Sequence, residues 1–348
     1  MNHARSLSRT TSIAFFGFAA LAASAGCSAA PGGTGDEATS STSEAILNGT
    51  PVGTDSLGTT EVCTSTNGTG CTSTGCSGQM IADRWMLTAH HCATLQQVQT
   101  GGTPTPASEL VAWMPGAPYA EKGVALFLHP TLDVALVEMD YPVVDGSGTA
   151  WTTPLWNGAS TSLQGKNIYC QGFGDTTLSG GAWTLTSAWM PVQYSGVGSL
   201  TLVPNASGQA LYSGDSGTGC FLGAPGSAGN RVVSIHSSHL TAGFGVSQDY
   251  ETGADGFYSW VAQSIQTRAC GDAGAACGTV TDAFGATVSC GGCVTGDVCE
   301  SNQCVCAPKT CRPGFHWDAG NCSCEFTCHT PAMCCAQAGG YWDGKYCE

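Results

Sequence analysis

The chain has 348 residues, 42% of them apolar and 10% charged, whereas soluble domains usually carry about 25% charged residues. Ten Lys and Arg stand against 25 Asp and Glu, a formal charge of −15. Binding to polyphosphate rests on Lys and Arg, so nucleic acid is excluded as a partner and anionic membrane surfaces are disfavoured.

Arg5 and Arg9 precede an apolar run from Ile13 to Ala25. A run of about 13 residues has the length of an export signal and falls short of the roughly 20 needed to cross a bilayer. Residues 1–26 therefore read as an export signal. Two processing sites compete. Ala23-Ser24-Ala25 fits simple release, whereas Ser24-Ala25-Gly26-Cys27 resembles a bacterial lipobox in which Cys27 would be acylated. The expected location is extracellular, or lipid-anchored at a bacterial cell envelope through Cys27. Residues 27–45, rich in Gly, Ser, Thr and Ala, read as a propeptide or linker.

From Ile46 the texture changes to short apolar runs separated by Gly and polar turns, among them QMIA, WMLTA, GVALFL, DVALVEM, NIYCQG and RVVSI. Such runs predict an all-β barrel or sandwich. One segment departs from this pattern. Over 255–268, Phe257, Trp260, Val261, Ser264 and Ile265 share one helical face, with Asp255 as the expected N-cap. The first domain thus spans 46–268, many strands closed by a helix.

Fourteen of the 21 cysteines lie in the last 79 residues. That tail lacks long apolar runs, so disulfides must supply its constraint, which implies an oxidising compartment. It divides into two Cys-rich modules, 269–306 and 307–348, with seven cysteines each. Two odd sets predict at least one bridge between them. Exported cysteines oxidise, so the CxC pairs are not read as a metal site. Surface or polysaccharide binding is the candidate role of the tail.

Three local sequences carry chemistry together: Trp85-Met-Leu-Thr-Ala-His-His-Cys92, His129-Pro-Thr-Leu-Asp-Val-Ala-Leu-Val137 and Ser213-Gly-Asp-Ser-Gly-Thr-Gly-Cys220. A serine hydroxyl is a poor nucleophile at neutral pH and needs a base within hydrogen-bond reach. A histidine can take that proton and return it to a leaving amine. The order His, Asp, Ser in an exported all-β domain is that of one triad fold and not of the others.

On these residues, 46–268 resembles a trypsin/chymotrypsin-family serine protease. The family's T-A-A-H-C stands here as Thr88-Ala-His-His-Cys92, D-[IV]-A-L as Asp133-Val-Ala-Leu136, and G-D-S-G as Gly214-Asp-Ser-Gly217. Its mature start stands as Ile46-Leu-Asn-Gly49, its G-W-G turn as Gly172-Phe-Gly174, and its closing helix holds Trp260-Val261. The resemblance implies two six-stranded antiparallel β-barrels with a C-terminal helix, and a serine-type endopeptidase acting on protein or peptide substrates. It calls for no metal and no cofactor. Its catalytic residues would be His91, Asp133 and Ser216, with the backbone N–H groups of Gly214 and Ser216 as the oxyanion hole. His90 replaces the family's second Ala and is expected to be a surface or rim histidine.

The resemblance also implies disulfides Cys76–Cys92 and Cys170–Cys220, leaving Cys63–Cys71 for an N-terminal loop. Cys170 and Cys220 are displaced in opposite senses along antiparallel strands, which preserves their opposition. The substrate pocket would be formed by Ala210, Leu211, His236 and Gly245. Ala210 stands where trypsin-like enzymes carry Asp, so an Arg or Lys side chain would enter unpaired and is disfavoured at P1. His236 is expected at the pocket wall, narrowing the entrance or favouring an acidic side chain. In this family, cleavage before the mature start frees an ammonium, which here would pair Ile46 with Asp215. The rival reading is an inactive protease-fold binding or adhesion protein acting through the Cys-rich tail.

Overall fold

In the computed structural model, the described residues are 46–66, 71–174, 184–242, 245–294, 297–311, 315–318, 320, 322–326 and 332. The export signal, Cys27 and the linker lie outside them. No described helix is long and apolar enough to cross a membrane.

After the short strand β1 (Thr50–Pro51), the first barrel comprises β2 (Thr59–Thr66), β3 (Cys71–Ala82), β4 (Trp85–Thr88), β5 (Val111–Trp113), β6 (Glu121–Leu128) and β7 (Ala135–Met139). The strands close in the order β2-β3-β4-β7-β6-β5. The second comprises β8 (Asn167–Gly172), β9 (Thr186–Gly196), β10 (Ser199–Leu202), β11 (Gly219–Phe221), β12 (Val232–Ala242) and β13 (Gly245–Gly253). Its order is β8-β9-β10-β13-β12-β11, closed by β8–β9 pairing, with β1 added at β9. Both barrels repeat one strand order.

Side chains alternate between the two faces of a strand, and this sorts the apolar residues. On β4, Met86 enters the first barrel's core, while Trp85 and Leu87 point to a second cluster shared with the helix. On β7, Ala135, Val137 and Met139 line the barrel core and Leu136 joins the shared cluster. The second barrel holds Ile168, Met190, Leu200, Leu202 and Val233 in its own core, and Ile46 lies among them. Strands buried on both faces read as continuous apolar runs, which is how DVALVEM appears in the sequence.

Helix α1 (Ala254–Asp272) buries Phe257, Val261, Ser264 and Ile265, and Trp260 packs partly buried against the same cluster. Gly253, not Asp255, is the N-cap. Asp255 sits one position inside the helix because its carboxylate is needed elsewhere. It accepts the N–H groups of Ser160 (2.9 Å) and Gly198 (3.0 Å) and the Ser160 hydroxyl, tying the helix start to two loops. The helix also runs four residues beyond the expected Arg268. Arg268 donates to Glu138 of β7 at 2.7 Å, stapling the helix to the first barrel.

Beyond the helix come three two-stranded hairpins: β14 (Thr279–Thr281) with β15 (Thr287–Ser289), β16 (Asp297–Glu300) with β17 (Gln303–Cys306), and β18 (Phe315–Asp318) with β19 (Ser323–Phe326). Such small hairpins need cross-links. Cys270–Cys290, Cys277–Cys299 and Cys293–Cys304 lace the first module, and Cys311–Cys324 closes the third hairpin. Cys306–Cys322 crosses between the modules, as the odd counts require. Cys328, Cys334, Cys335 and Cys347 lie outside the described residues.

Candidate active site

His91 belongs to a 3-10 turn, His90–Ala93, that follows β4 directly. A disulfide from Cys92 to Cys76 on β3 holds that turn against the barrel. Asp133 lies in the turn entering β7, the neighbour of β4, so adjacent strands deliver the two side chains side by side. The His91 backbone N–H donates to Asp133 Oδ1 at 3.0 Å, and His91 Nδ1 is 2.8 Å from Oδ2. A carboxylate only accepts, so Nδ1 carries the proton and the lone pair is left on Nε2.

Oδ2 also accepts the Ser237 hydroxyl of β12 at 2.7 Å. Burial alone would push the Asp133 carboxyl up, but the hydrogen bonds and charge of His91, with Ser237, hold it below its ordinary value. Asp133 is therefore an anion at neutral pH. Ser237 was missed by sequence reasoning. Its only signal is its place directly after His236 on a strand that reaches Asp133 from the other barrel.

Ser216 lies in the loop entering β11, between two glycines with positive φ, Gly214 (+88°) and Gly217 (+87°). A side chain at Gly214 would press on Gly174 Cα at 2.9 Å, and one at Gly217 would strike Ser77 O and Thr88. Ser77 of β3 pins this loop to the first barrel. Its N–H donates to Ser216 O at 2.8 Å, its hydroxyl donates to Gly214 O at 3.0 Å, and it accepts from Phe173 N–H. Thr218, where the family has Gly, is buried and donates its N–H to Asp215 O at 2.8 Å. His91, Ser213, Gly214, Ser216 and His239 line one cleft of about 720 Å³, floored in part by Cys76 and Cys92. The structure brings the three candidate catalytic residues together from both barrels.

The implied disulfides Cys63–Cys71, Cys76–Cys92 and Cys170–Cys220 are all formed. Cys170 and Cys220 are directly paired across β8 and β11, with Cα atoms 4.1 Å apart.

Three expectations need correction. His90 is not at the surface or rim: it is 2% exposed. Its Nδ1 is 3.1 Å from His129 O, a bond between the histidine turn and the aspartate loop. His236 is not at the pocket entrance either. It is fully buried, with Nδ1 2.7 Å from Glu251 Oε1. Burial would lower its pKa, but Glu251, with Asp249 and Asp215 beyond, raises it on balance. The β12 histidine at the cleft is His239, whose ring lies 4.7 Å from that of Tyr212. Gly245 pairs with Ala242 at the far end of the β12–β13 hairpin and is not among the described residues lining the cleft.

Ala210 and Leu211 are buried in the second barrel's core. A carboxylate from another strand lies next to this segment. Asp249 of β13 pairs across from His239 and accepts the Leu211 N–H at 3.3 Å. It is fully buried, and burial pushes its carboxyl up to about 7. Nothing in a linear motif marks it, because β13 meets the nucleophile loop only in the folded barrel.

Ile46 is fully buried beside Ala210, and Leu47 exchanges backbone hydrogen bonds with Ala210 at 2.8 and 3.3 Å. Asn48, in place of glycine, takes the left-handed conformation (φ +54°) that asparagine tolerates. Asp215 is buried and accepts N–H groups from Gly174 (2.8 Å) and Tyr212 (2.9 Å).

Two barrels of one strand order, with His, Asp and Ser meeting at their junction, define a trypsin-like protease fold. The family model described as Trypsin matches residues 56–261, more than half of the chain, and the chain belongs to the trypsin family. Comparison with curated proteins gives no match. The fold implies protein or peptide substrates, and its many disulfides point to an extracellular or secreted setting.

Proposed function

We propose that the chain is an exported serine endopeptidase, made as a zymogen, that cleaves peptide bonds through an acyl-enzyme. The observation that carries this reading is the His91 imidazole, oriented by the Asp133 carboxylate in the cleft that also holds Ser216. Ser216 Oγ attacks the substrate carbonyl and passes its proton to His91 Nε2. Asp133 stabilises the imidazolium. The N–H groups of Gly214 and Ser216 receive the developing oxyanion, and His91 returns the proton to the leaving amine. Water then repeats the sequence on the ester, regenerating Ser216. Labelling by a fluorophosphonate tests the proposal. Processed protein that takes up no label at Ser216 would turn the reading to the inactive, tail-mediated binding protein.

The substrate pocket supports an uncharged apolar or small P1 residue rather than Arg or Lys. Ala210 and Leu211, both fully buried, present no carboxylate to it, and the ring of His239 at the cleft lies 4.7 Å from that of Tyr212. Asp249 is fully buried behind Leu211 and, with its carboxyl pushed up to about 7, only partly ionised near neutrality, so it offers a basic side chain little charge. A peptide-library profile dominated by Arg or Lys at P1 overturns this.

Activation is cleavage before Ile46, whose new ammonium pairs with Asp215, the buried carboxylate next to Ser216. The cut follows Ala45 in a linker segment without basic residues, so a trypsin-like activator is disfavoured. The domain plan follows the sequence boundaries: signal 1–26, propeptide 27–45, protease 46–268, and modules 269–306 and 307–348. With Cys27 lipidated, the same cut frees the protease from its membrane. A fully active enzyme beginning upstream of Ile46 defeats the proposed switch.

A further inference from the structure

Far from the catalytic cleft, sharing no described residue with it, a cavity of about 420 Å³ opens at the seam between the protease domain and the tail. The β3–β4 turn, the end of α1 and the loop after β14 enclose it. Its apolar wall includes Ile81, Trp85 and Ile265, which are 3%, 4% and 1% exposed. Asp83, Asp272 and Asp282 line it as well.

Asp282 is the informative one. It is 7% exposed, and its Oδ1 is committed to the N–H groups of Phe284 (2.9 Å) and Ala286 (2.8 Å). Its Oδ2 is buried and has no partner among the described residues. A buried carboxylate oxygen without a donor is costly, which points to a group that arrives from the cavity.

The neighbouring cations do not fill that role. Arg84 is spent on Glu138 Oε1 (2.9 Å) and Met139 O (2.8 Å), and Arg268 on Glu138 Oε2 (2.7 Å) and Asp272 (3.5 Å). Four carboxylates against two guanidinium groups leave two negative charges at the seam. A calcium ion would want six to eight oxygens around it, yet these carboxylates do not form one of the tight ligand clusters among the described residues. Much of the wall is hydrocarbon. That combination suits a single positive charge on an aliphatic stem.

We propose that this cavity binds a Lys or Arg side chain of a peptide, with its charged head beside the Asp282 carboxylate and its stem along Trp85 and Ile265. The test is calorimetric titration of the full chain with N-acetyl-lysine amide and N-acetyl-arginine amide, against the neutral N-acetyl-norleucine amide. Saturable binding of the charged amides alone is expected, weakening with salt and falling at least tenfold in Asp282→Asn. Asparagine keeps the Oδ1 acceptor that the loop uses, and Asp272→Asn at the more open side provides a second variant. Activity on peptide substrates should not change in either. An intramolecular occupant is separated by Arg312→Ala/Lys345→Ala: amides that bind only this variant place one of the chain's own basic residues in the cavity. Absence of binding to both forms, equal binding of the neutral amide, or full affinity in Asp282→Asn overturns the proposal.

Discussion

Asp133→Asn is the sharpest perturbation of the site, because the structure dictates how an asparagine must sit. Oδ1 accepts the His91 backbone N–H at 3.0 Å, and that donor cannot reverse. The amide oxygen is therefore held at the Oδ1 position and the NH₂ group falls where Oδ2 was. There it faces His91 Nδ1 and the Ser237 hydroxyl. The hydroxyl can rotate to accept, and Nδ1 must become an acceptor, moving the imidazole proton to Nε2. The ring keeps its place but has no lone pair toward Ser216. Loss of the correct tautomer in a Ser-His-Asp triad costs a factor of about 10⁴ in kcat, or about 5.4 kcal/mol of transition-state stabilisation. The assay is kcat on a peptide ester or amide, with a melting curve to show that the fold is intact. A variant that folds normally and retains kcat within tenfold of the parent refutes the role given to Asp133.

Ser216→Ala and His91→Ala should each lower kcat by several orders of magnitude. His90→Ala should instead cost stability, about 1–3 kcal/mol by denaturant titration for the lost buried bond to His129 O, with a far smaller loss of kcat. If His90→Ala is the crippling change, the two adjacent histidines are assigned the wrong way round. Replacing Cys170 and Cys220 together by Ala opens a loop closed over a sequence separation of 50, worth about 4 kcal/mol in the chain-entropy account; an unchanged denaturation midpoint would count against it. Asp249 titrates at 3.8 unfolded and about 7 folded. Its contribution is thus fully present below the unfolded value and lost as pH rises through about 7. Asp249→Asn should therefore gain stability relative to the parent as pH rises from about 4 to about 7 and hold that gain above it, and a difference that stays flat from about pH 4 to about 7 contradicts the raised value.

Local sequence revealed those parts of the site that depend on local sequence. His91, Asp133 and Ser216 each sit in a turn whose neighbours have fixed jobs: a cysteine that bridges, a strand that runs on, glycines that take positive φ. These jobs leave motifs. The apolar runs likewise foretold strands, since β4 and β7 are buried on both faces. Ser237, Asp249 and Glu251 left no such trace. They reach the site through the register of β12 against β13 and the closure of the second barrel, and register is not written in any one strand. His236 shows the same limit from the other side. On β12 it pairs with Glu251, while Ser237, at a register shift in the strand, reaches Asp133. A reading that fixes the chain position without the strand's facing puts the wrong residue in the pocket.

The buried charges behind the pocket supply a physical reason for the activation proposed at Ile46. Asp215, Asp249 and Glu251 are all buried within one region, and His236 is the imidazole among them. One basic side chain, His236, stands among three acidic ones. The crowding appears in Asp249, whose carboxyl rises to about 7 through burial and through the fields of Glu251 and Asp215, against the opposing pull of His236. An ammonium freed at Ile46 would add a positive charge where Ile46 already lies buried beside Ala210. It would steady Asp215, one residue from Ser216 and from Gly214, so the same ion pair would fix both the nucleophile and an oxyanion donor. Cleavage on this account adds a cation to a buried acidic set, and the loop that carries Ser216 is the part of the fold that feels the difference.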